Sequence, residues 1–333
     1  MHIGLIGLEK SGKTTIFNAL TGSTIDTAAF SQAKKEPNIA VVEVSDPRVA
    51  RLSEMYQPKK ITYATIECMD FVGLPSSEEK KQIFPPSELA LIKNADALAL
   101  VLRNFRDDLI EQTYGAPDSL ADMNTLITEL IISDLIIAEN RMERVEHYIK
   151  RGASTPEMGL EKKALERIIE GLNENRLIRD LELSVEEIKH LRGFQFLTLK
   201  PLMVILNSDE DSFGCNEELI AGIEKNCKAI EFAGRFEMEL GRLSEEEARE
   251  FMEDMHIQAS ARDRLSMLAY AVLGYITFFT VGPDEVRAWT IKDGDTAVAA
   301  AGAIHSDLAR GFIRAECFHY DSLMELGSEK AIK

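Results

Sequence analysis

Residues Gly7-Leu8-Glu9-Lys10-Ser11-Gly12-Lys13-Thr14 set two glycines, a lysine and a hydroxyl at the spacing G-x-x-x-x-G-K-[ST]. This pattern binds phosphate. The glycines let successive N–H groups converge on an anion, the lysine reaches the outer phosphates, and the threonine hydroxyl ligates Mg²⁺. Lys10, Ser11, Gly12, Lys13, Thr14 and Thr15 are therefore candidate nucleotide-binding residues. Lys13 is also a catalytic candidate and Thr14 a metal ligand. Asp70-Phe71-Val72-Gly73 supplies a second group. In P-loop enzymes an aspartate so placed holds Mg²⁺ through water, and the glycine N–H senses the γ-phosphate. Asp70 and Gly73 are thus catalytic candidates, and Asp70 a metal candidate.

A third group is Asn207-Ser208-Asp209-Glu210. GTPases place N-K-x-D here, where the asparagine braces the phosphate loop and the aspartate accepts two hydrogen bonds from guanine. Glu210 is one methylene longer than that aspartate, and Ser208 stands where the stacking lysine would be. A misplaced bidentate acceptor leaves polar groups of the base unpaired, so discrimination for guanine is expected to be weak. Asn207 also reads as a simple turn residue closing a strand. Ala233-Gly234 follows a further strand, and a backbone amide there could meet the edge of the base.

Each group needs an element to hold it. An apolar run of strand length, Ile3 to Ile6, precedes the phosphate loop, and Ile16, Ala19 and Leu20 follow it at helical spacing. Strands are expected at Ile39–Val44, Ile61–Met69, Ala95–Leu102, Pro201–Leu206 and Lys228–Phe232. Asp46-Pro47 opens a short helix between the first two. Alternating strands and helices, with a motif at each strand end, imply a mostly parallel, doubly wound sheet whose ligand lies at the carboxyl edge.

About a hundred residues separate the strand near Leu102 from that at Pro201, too many for a plain connection. They read as helices. Ile131, Ala138 and Val145 interlock at seven-residue spacing with Leu135, Met142 and Ile149, an a/d seam. After a turn at Gly152–Pro156, Leu165, Ile168, Ile169 and Leu172 share a second face. Ser184 and Glu187 form a capping box for another short helix. The hairpin reads equally as an arm that touches a partner or as a packing lid. Ser244 with Glu247 caps a further helix, Arg262–Leu273 is amphipathic, and strands Ile276–Thr280 and Val286–Thr290 flank a Gly282-Pro283-Asp284 turn. Trp289 reads as a core residue, with base stacking as the alternative.

The 333 residues carry 38 basic and 56 acidic side chains, a net charge of −18, which opposes general nucleic-acid binding while leaving room for a local basic patch. Solubility is the plain reading of the acidity. No apolar run is long enough to span a membrane, and no basic leader precedes the first strand. The four cysteines form no C-x-x-C pair and read as reduced, mostly buried cytoplasmic thiols.

Taken in order, the phosphate loop, Glu36-Pro37-Asn38, Asp46-Pro47-Arg48, Asp70-x-x-Gly73-Leu74, Leu197 to Pro201 and Asn207-x-x-Glu210 closely resemble the YchF family of Obg-like ATPases. So do Ile276 to Thr280, Glu285 to Thr290, Ala301 to Asp307 and Gly311 to Glu316. The resemblance implies an NTPase domain in two parts (1–117 and 196–260), an inserted helical hairpin (118–195) and a C-terminal β-grasp domain of TGS type (261–333) lacking its last strands. It implies Mg²⁺-dependent use of ATP, with GTP as an alternative, and slow turnover, because Leu74 cannot orient a water. It also implies a switch associated with ribosomes or ribosomal RNA through the hairpin and the C-terminal domain, in the cytoplasm and away from membranes. Three departures stand out. Lys34 replaces a metal-reaching threonine, the charged Pro75–Pro86 segment replaces a glycine-rich one, and the chain stops at Lys333, leaving an open sheet edge. The first two motivate an alternative in which nucleotide is bound but no longer hydrolysed.

Overall fold

The computed structural model describes residues 1–22, 38–71, 86–152 and 155–332. Its strands are β1 (His2–Ile6), β2 (Asn38–Val44), β3 (Lys60–Thr62), β4 (Ala64–Asp70), β5 (Ala97–Asn104), β6 (Leu202–Ser208), β7 (Lys228–Phe232), β8 (Tyr275–Thr280) and β9 (Glu285–Lys292). The helices that matter here are α1 (Lys13–Thr21), α2 (Pro47–Tyr56), α3 (Pro86–Ile92), α4 (Asp108–Tyr114), α5 (Ser119–Lys150), α6 (Pro156–Asn173), α7 (Val185–Leu191), α8 (Glu217–Glu224), α9 (Gly234–Leu240), α10 (Glu245–Asp254) and α11 (Ala261–Leu273). The chain forms two compact units. One is Met1–Val42 with Ile66–Val272, and the other is Glu43–Thr65 with Leu273–Lys333.

The first unit is built on a sheet of order β2-β4-β1-β5-β6-β7. β1 runs parallel to β4 and β5, β5 to β6, and β6 to β7. β6 is buried along its whole length and β5 up to Arg103, which is why both read as unbroken apolar runs. Parallel strands put the carboxyl ends of β1, β4, β6 and β7 on one edge, and with them the phosphate loop, Asp70, Asn207 and Ala233.

The helical insertion is a packed hairpin. α5 has 32 residues and extends about 48 Å; Asp118 caps it by accepting from the Ala121 N–H. Thr155 caps α6, with Pro156 in its first turn. Ile131, Ala138 and Val145 are buried, and Leu135, Met142 and Ile149 pack beside them. Leu165, Ile168 and Leu172 answer from α6. Arg141 clamps Glu161 across the hairpin with two hydrogen bonds, 2.7 and 2.9 Å. The same apolar cluster continues into Leu191, Phe196 and Leu197, so the base of the hairpin belongs to the core. There Asp134 of α5, fully buried, accepts from the N–H groups of Leu197 (2.9 Å) and Thr198 (2.7 Å) and from the Thr198 hydroxyl (2.7 Å). Burial pushes its carboxyl up to about 6 despite those three bonds. The capping boxes at Ser184 and Ser244 are both made, for α7 and α10.

The second unit joins β3 and β9 in parallel and β9 and β8 antiparallel, in the order β3-β9-β8. Its core is Val49, Leu52, Ala64, Val286, Ala288 and Leu323. Two expectations are corrected. The run Ile61–Met69 is two strands: β3 pairs with β9, while β4 joins the larger sheet beyond Tyr63. Trp289 is not core. On β9 the alternating residues Val286 and Ala288 face inward, which turns Trp289 to the other face. There it is half-buried, stacks on Phe278, lies under the Arg287 guanidinium at 3.8 Å and donates to the Thr280 hydroxyl at 2.9 Å. The cysteines divide evenly: Cys68 and Cys227 are buried, Cys215 and Cys317 exposed.

Candidate functional site

After Ile6 the chain curls through the phosphate loop into α1. Lys10 and Gly12 take positive φ values, 61° and 87°. A side chain at position 12 is excluded twice over, because the left-handed backbone disfavours it and its Cβ would lie 2.1 Å from the Asn207 amide nitrogen. The buried Lys13 ammonium donates to the carbonyls of Gly7 (2.9 Å) and Leu8 (2.8 Å), within the curl of the loop. Asn207 braces the loop, its Nδ2 donating to the Ser11 carbonyl at 3.0 Å. On its other side, a Cβ on Gly234 would sit 2.4 Å from the Asn207 Oδ1. One asparagine at the end of β6 thus braces the phosphate loop and lies close against the turn after β7. Its role is structural bracing as well as turn closure.

The metal-binding candidates meet. The Thr14 hydroxyl donates to Asp70 Oδ2 at 2.9 Å, and the Asn38 amide reaches the same oxygen at 3.4 Å. Asp70 is buried at the end of β4, and its Oδ1 has no hydrogen-bond partner among the described residues. Burial raises the carboxyl above its usual range, with the Thr14 bond and the Lys13 charge opposing. An unsatisfied buried carboxylate oxygen beside a threonine hydroxyl is a hard oxygen donor set. It fits Mg²⁺, which takes one or two protein ligands and completes its shell with phosphate and water. Gly73, Leu74, Lys34 and the segment from Pro75 to Pro85 lie outside the described residues.

At the other end of the sheet edge the base-binding candidates are more occupied than the sequence suggests. Ser208 is buried. Its hydroxyl donates to Glu231 and accepts from Asn104 Nδ2 (2.9 Å), while Asn216 Nδ2 donates to Glu231 at 2.6 Å and the Gly214 N–H at 3.1 Å. Ser208 therefore anchors the 209–216 turn instead of presenting a stacking side chain. Asp209 caps that turn, accepting from the Ser212 N–H at 2.9 Å. Glu210 is exposed on the cavity wall. The Ala233 N–H donates to Glu237 Oε1 at 3.1 Å.

Phosphate loop, Asp70, Asn207 to Glu210 and Ala233 all line one cavity of about 960 Å³. Its volume suits a nucleotide-sized ligand. Sequence reasoning missed part of its wall: Phe105 and Arg106 after β5, Tyr114 of α4, and Phe236 and Met238 of α9. Tyr114 donates to Glu9 at 3.0 Å, closing the rim above the loop. The signal was available, since the loop after β5 leaves the same carboxyl edge as the motifs.

Sheet order, phosphate loop and the Thr14–Asp70 pair define a P-loop nucleoside triphosphatase of the GTPase architecture. Comparison with known proteins narrows the class. Residues 2–141 match the 50S ribosome-binding GTPase family model. Residues 275–333 match the model of the YchF-type GTPase C-terminal domain, described as a protein of unknown function. The chain is 36% identical to the ribosome-binding ATPase YchF of Haemophilus influenzae and 34% identical to that of Bacillus subtilis, in each case over 99% of this chain and 92% of the relative. The structure of the Schizosaccharomyces pombe YchF GTPase superposes with a TM-score of 0.84 at 29% identity, covering all of this chain and 91% of that one. The chain belongs to the YchF family.

Proposed function

We propose that this protein binds ATP with Mg²⁺, hydrolyses it slowly and acts as a switch on ribosomes in the cytoplasm, with GTP a weaker substrate. The carrying observation is the pair Thr14–Asp70, set at the mouth of a braced phosphate loop with one buried carboxylate oxygen unsatisfied. The chain's own groups divide the work. Main-chain amides from Lys10 to Thr15 receive the phosphates, and Lys13 balances charge that builds on the outer oxygens. Thr14 and Asp70 hold the metal, which would neutralise phosphate charge when bound. Gly73 senses the γ-phosphate, and Leu74 offers no hydrogen bond to a water, so turnover without a stimulator is slow. Asn207 and Glu210 frame the base.

Support for the ribosome as partner comes from the printed names of the relatives. The surfaces assigned to it are the helical hairpin and the TGS-like second unit, whose Phe278, Trp289 and Arg287 make an aromatic and cationic face suited to bases. Among the described residues no helix is long and apolar enough to cross a membrane. A second reading, binding without hydrolysis, rests on Lys34 and the Pro75–Pro86 segment.

Single-turnover hydrolysis of ATP by the wild type and by Lys13→Ala decides the mechanism. Slow phosphate release that falls at least a hundredfold in the variant is expected. Release that survives the substitution rules the mechanism out, and tight binding with no release even on ribosomes favours the second reading.

A further inference from the structure

Lys10, midway along the phosphate loop, goes against two ordinary preferences. Its φ is 61°, in the left-handed region that glycine enters freely and a residue with a Cβ enters only under strain. Its ammonium is exposed and makes no hydrogen bond or ion pair with any described residue. The surroundings explain why it stays unpaired. The adjacent acid, Glu9, accepts from the Tyr114 hydroxyl of α4 at 3.0 Å, which engages its carboxylate on the rim. Other cations of the cavity wall are engaged too. Lys13 is buried against the carbonyls of Gly7 and Leu8, and Arg235 pairs with Glu239 at 3.6 Å. The Arg106 N–H donates to Asp209 at 3.3 Å, on the side of the base-binding candidates. Lys10 lines the same cavity, four residues before Thr14.

Glycine would take this bend without strain. A lysine held there, with its charge left unneutralised at the edge of a ligand cavity, is a side chain retained for what it does. A phosphate chain lying on the amides of residues 10–15, its outer end toward Thr14 and Asp70, passes within reach of the flexible four-carbon stem. A triphosphate brings more negative charge to that outer end than a diphosphate does. Hydrolysis then spreads charge over the terminal phosphoryl oxygens and the oxygen it leaves.

We propose that Lys10 is a second catalytic cation supplied by the phosphate loop itself. Its ammonium meets the outer phosphates from the open side of the cavity, favours triphosphate over diphosphate and balances the charge that builds in the transition state. Water bonds to the terminal phosphorus, and the bond to the bridging oxygen breaks with its electron pair left on the diphosphate. The water's proton leaves with inorganic phosphate, and Lys10 stays protonated throughout. The inference rests on the nucleotide-binding reading above, which uses only the main-chain amide at this position.

The test compares ADP with AMP-PNP, a triphosphate analogue that resists hydrolysis, by calorimetry with Mg²⁺ on the full chain, in the wild type, Lys10→Gly and Lys10→Arg. Glycine relieves the bend as it removes the charge, so this variant is expected to unfold at no lower denaturant concentration than the wild type. Its preference for AMP-PNP over ADP is expected to fall about tenfold, the worth of one nearby charge in a half-solvated site, with ADP affinity kept within about twofold. Single-turnover release of phosphate from ATP should slow by about tenfold or more. Arginine keeps the charge and is expected to hold both quantities within about threefold of the wild type. An unchanged ratio in Lys10→Gly, an equal loss for both nucleotides, or an arginine variant that matches the glycine one overturns this inference alone. A wild type that binds AMP-PNP yet releases no phosphate from ATP removes the catalytic role. Failure of both nucleotides to bind the wild type overturns the nucleotide reading with it.

Discussion

On the proposed nucleotide-binding reading, recognition at the phosphate end of the cavity falls to main-chain amides, one lysine and one hydroxyl, placed by left-handed bends at Lys10 and Gly12. At the base end the wall offers side-chain acceptors, Glu210 and Asp209, the second already engaged by the Ser212 N–H. The first end is chemically obligatory, because any nucleotide presents the same phosphates and the backbone that cradles them has one workable path. The second is adjustable. On the proposed reading, a methylene more at Glu210 changes which base is welcome without moving the loop. Asn207 lets both coexist, since it touches the Ser11 carbonyl on one side and crowds Gly234 on the other.

This division predicts that damage at the phosphate end is severe and blind to the base. Gly12→Ala forces a Cβ to 2.1 Å from Asn207 at a φ of 87°. Affinity for ADP and GDP should fall together, by about a hundredfold or more, as seen in parallel titrations. Unequal losses would break the comparison.

A control away from both ends sharpens it. Asp134→Ala leaves two buried N–H groups unpaired and should cost about 3 kcal/mol in denaturant unfolding, with the ADP-to-GDP ratio unaltered. The pH dependence has a definite sign. The folded carboxyl, at about 6, lies above its unfolded value of 3.8, so the native state binds the extra proton. The stability advantage of wild type over Asp134→Ala is greatest below about pH 4, shrinks as pH rises to about 6, and is level above that, a change of about 3 kcal/mol. Parallel unfolding curves at pH 4 and pH 7 measure it.

At the base end, Glu210→Asp shortens an exposed carboxylate on the wall. It should improve GDP binding about tenfold relative to ADP, read by competition titration, and leave phosphate affinity alone. Ser208→Ala is the smallest change. It removes one link of the Asn104–Ser208–Glu231 network and should lower stability by about 1 kcal/mol in thermal or denaturant melts, with base preference altered about twofold at most.

The same contrast explains what could be read from the residues alone. The strand, loop and helix around Lys13, the Asp70 strand end, both capping boxes and the seam from Ile131 to Ile149 are local patterns, each dictated within a few residues of itself. The features that escaped depend on partners distant in sequence. Nothing in Ile61–Met69 tells that its first two residues pair with β9. Trp289 has a core residue's composition, and only the inward turn of Val286 and Ala288 shows that it faces the other way. In the turn after β7 the Ala233 N–H is taken by Glu237, itself held by Arg264 from a later helix, a pairing no local pattern announces.

The central claim is that one cavity holds a nucleotide by its phosphates through the loop that contains Gly12 and Lys13. The most direct measurement is calorimetric titration of ADP and Mg²⁺ into the wild type beside Gly12→Ala. A saturable one-to-one isotherm for the wild type, lost in the variant, is the result predicted. A flat wild-type titration, or binding that Gly12→Ala leaves untouched, would contradict it.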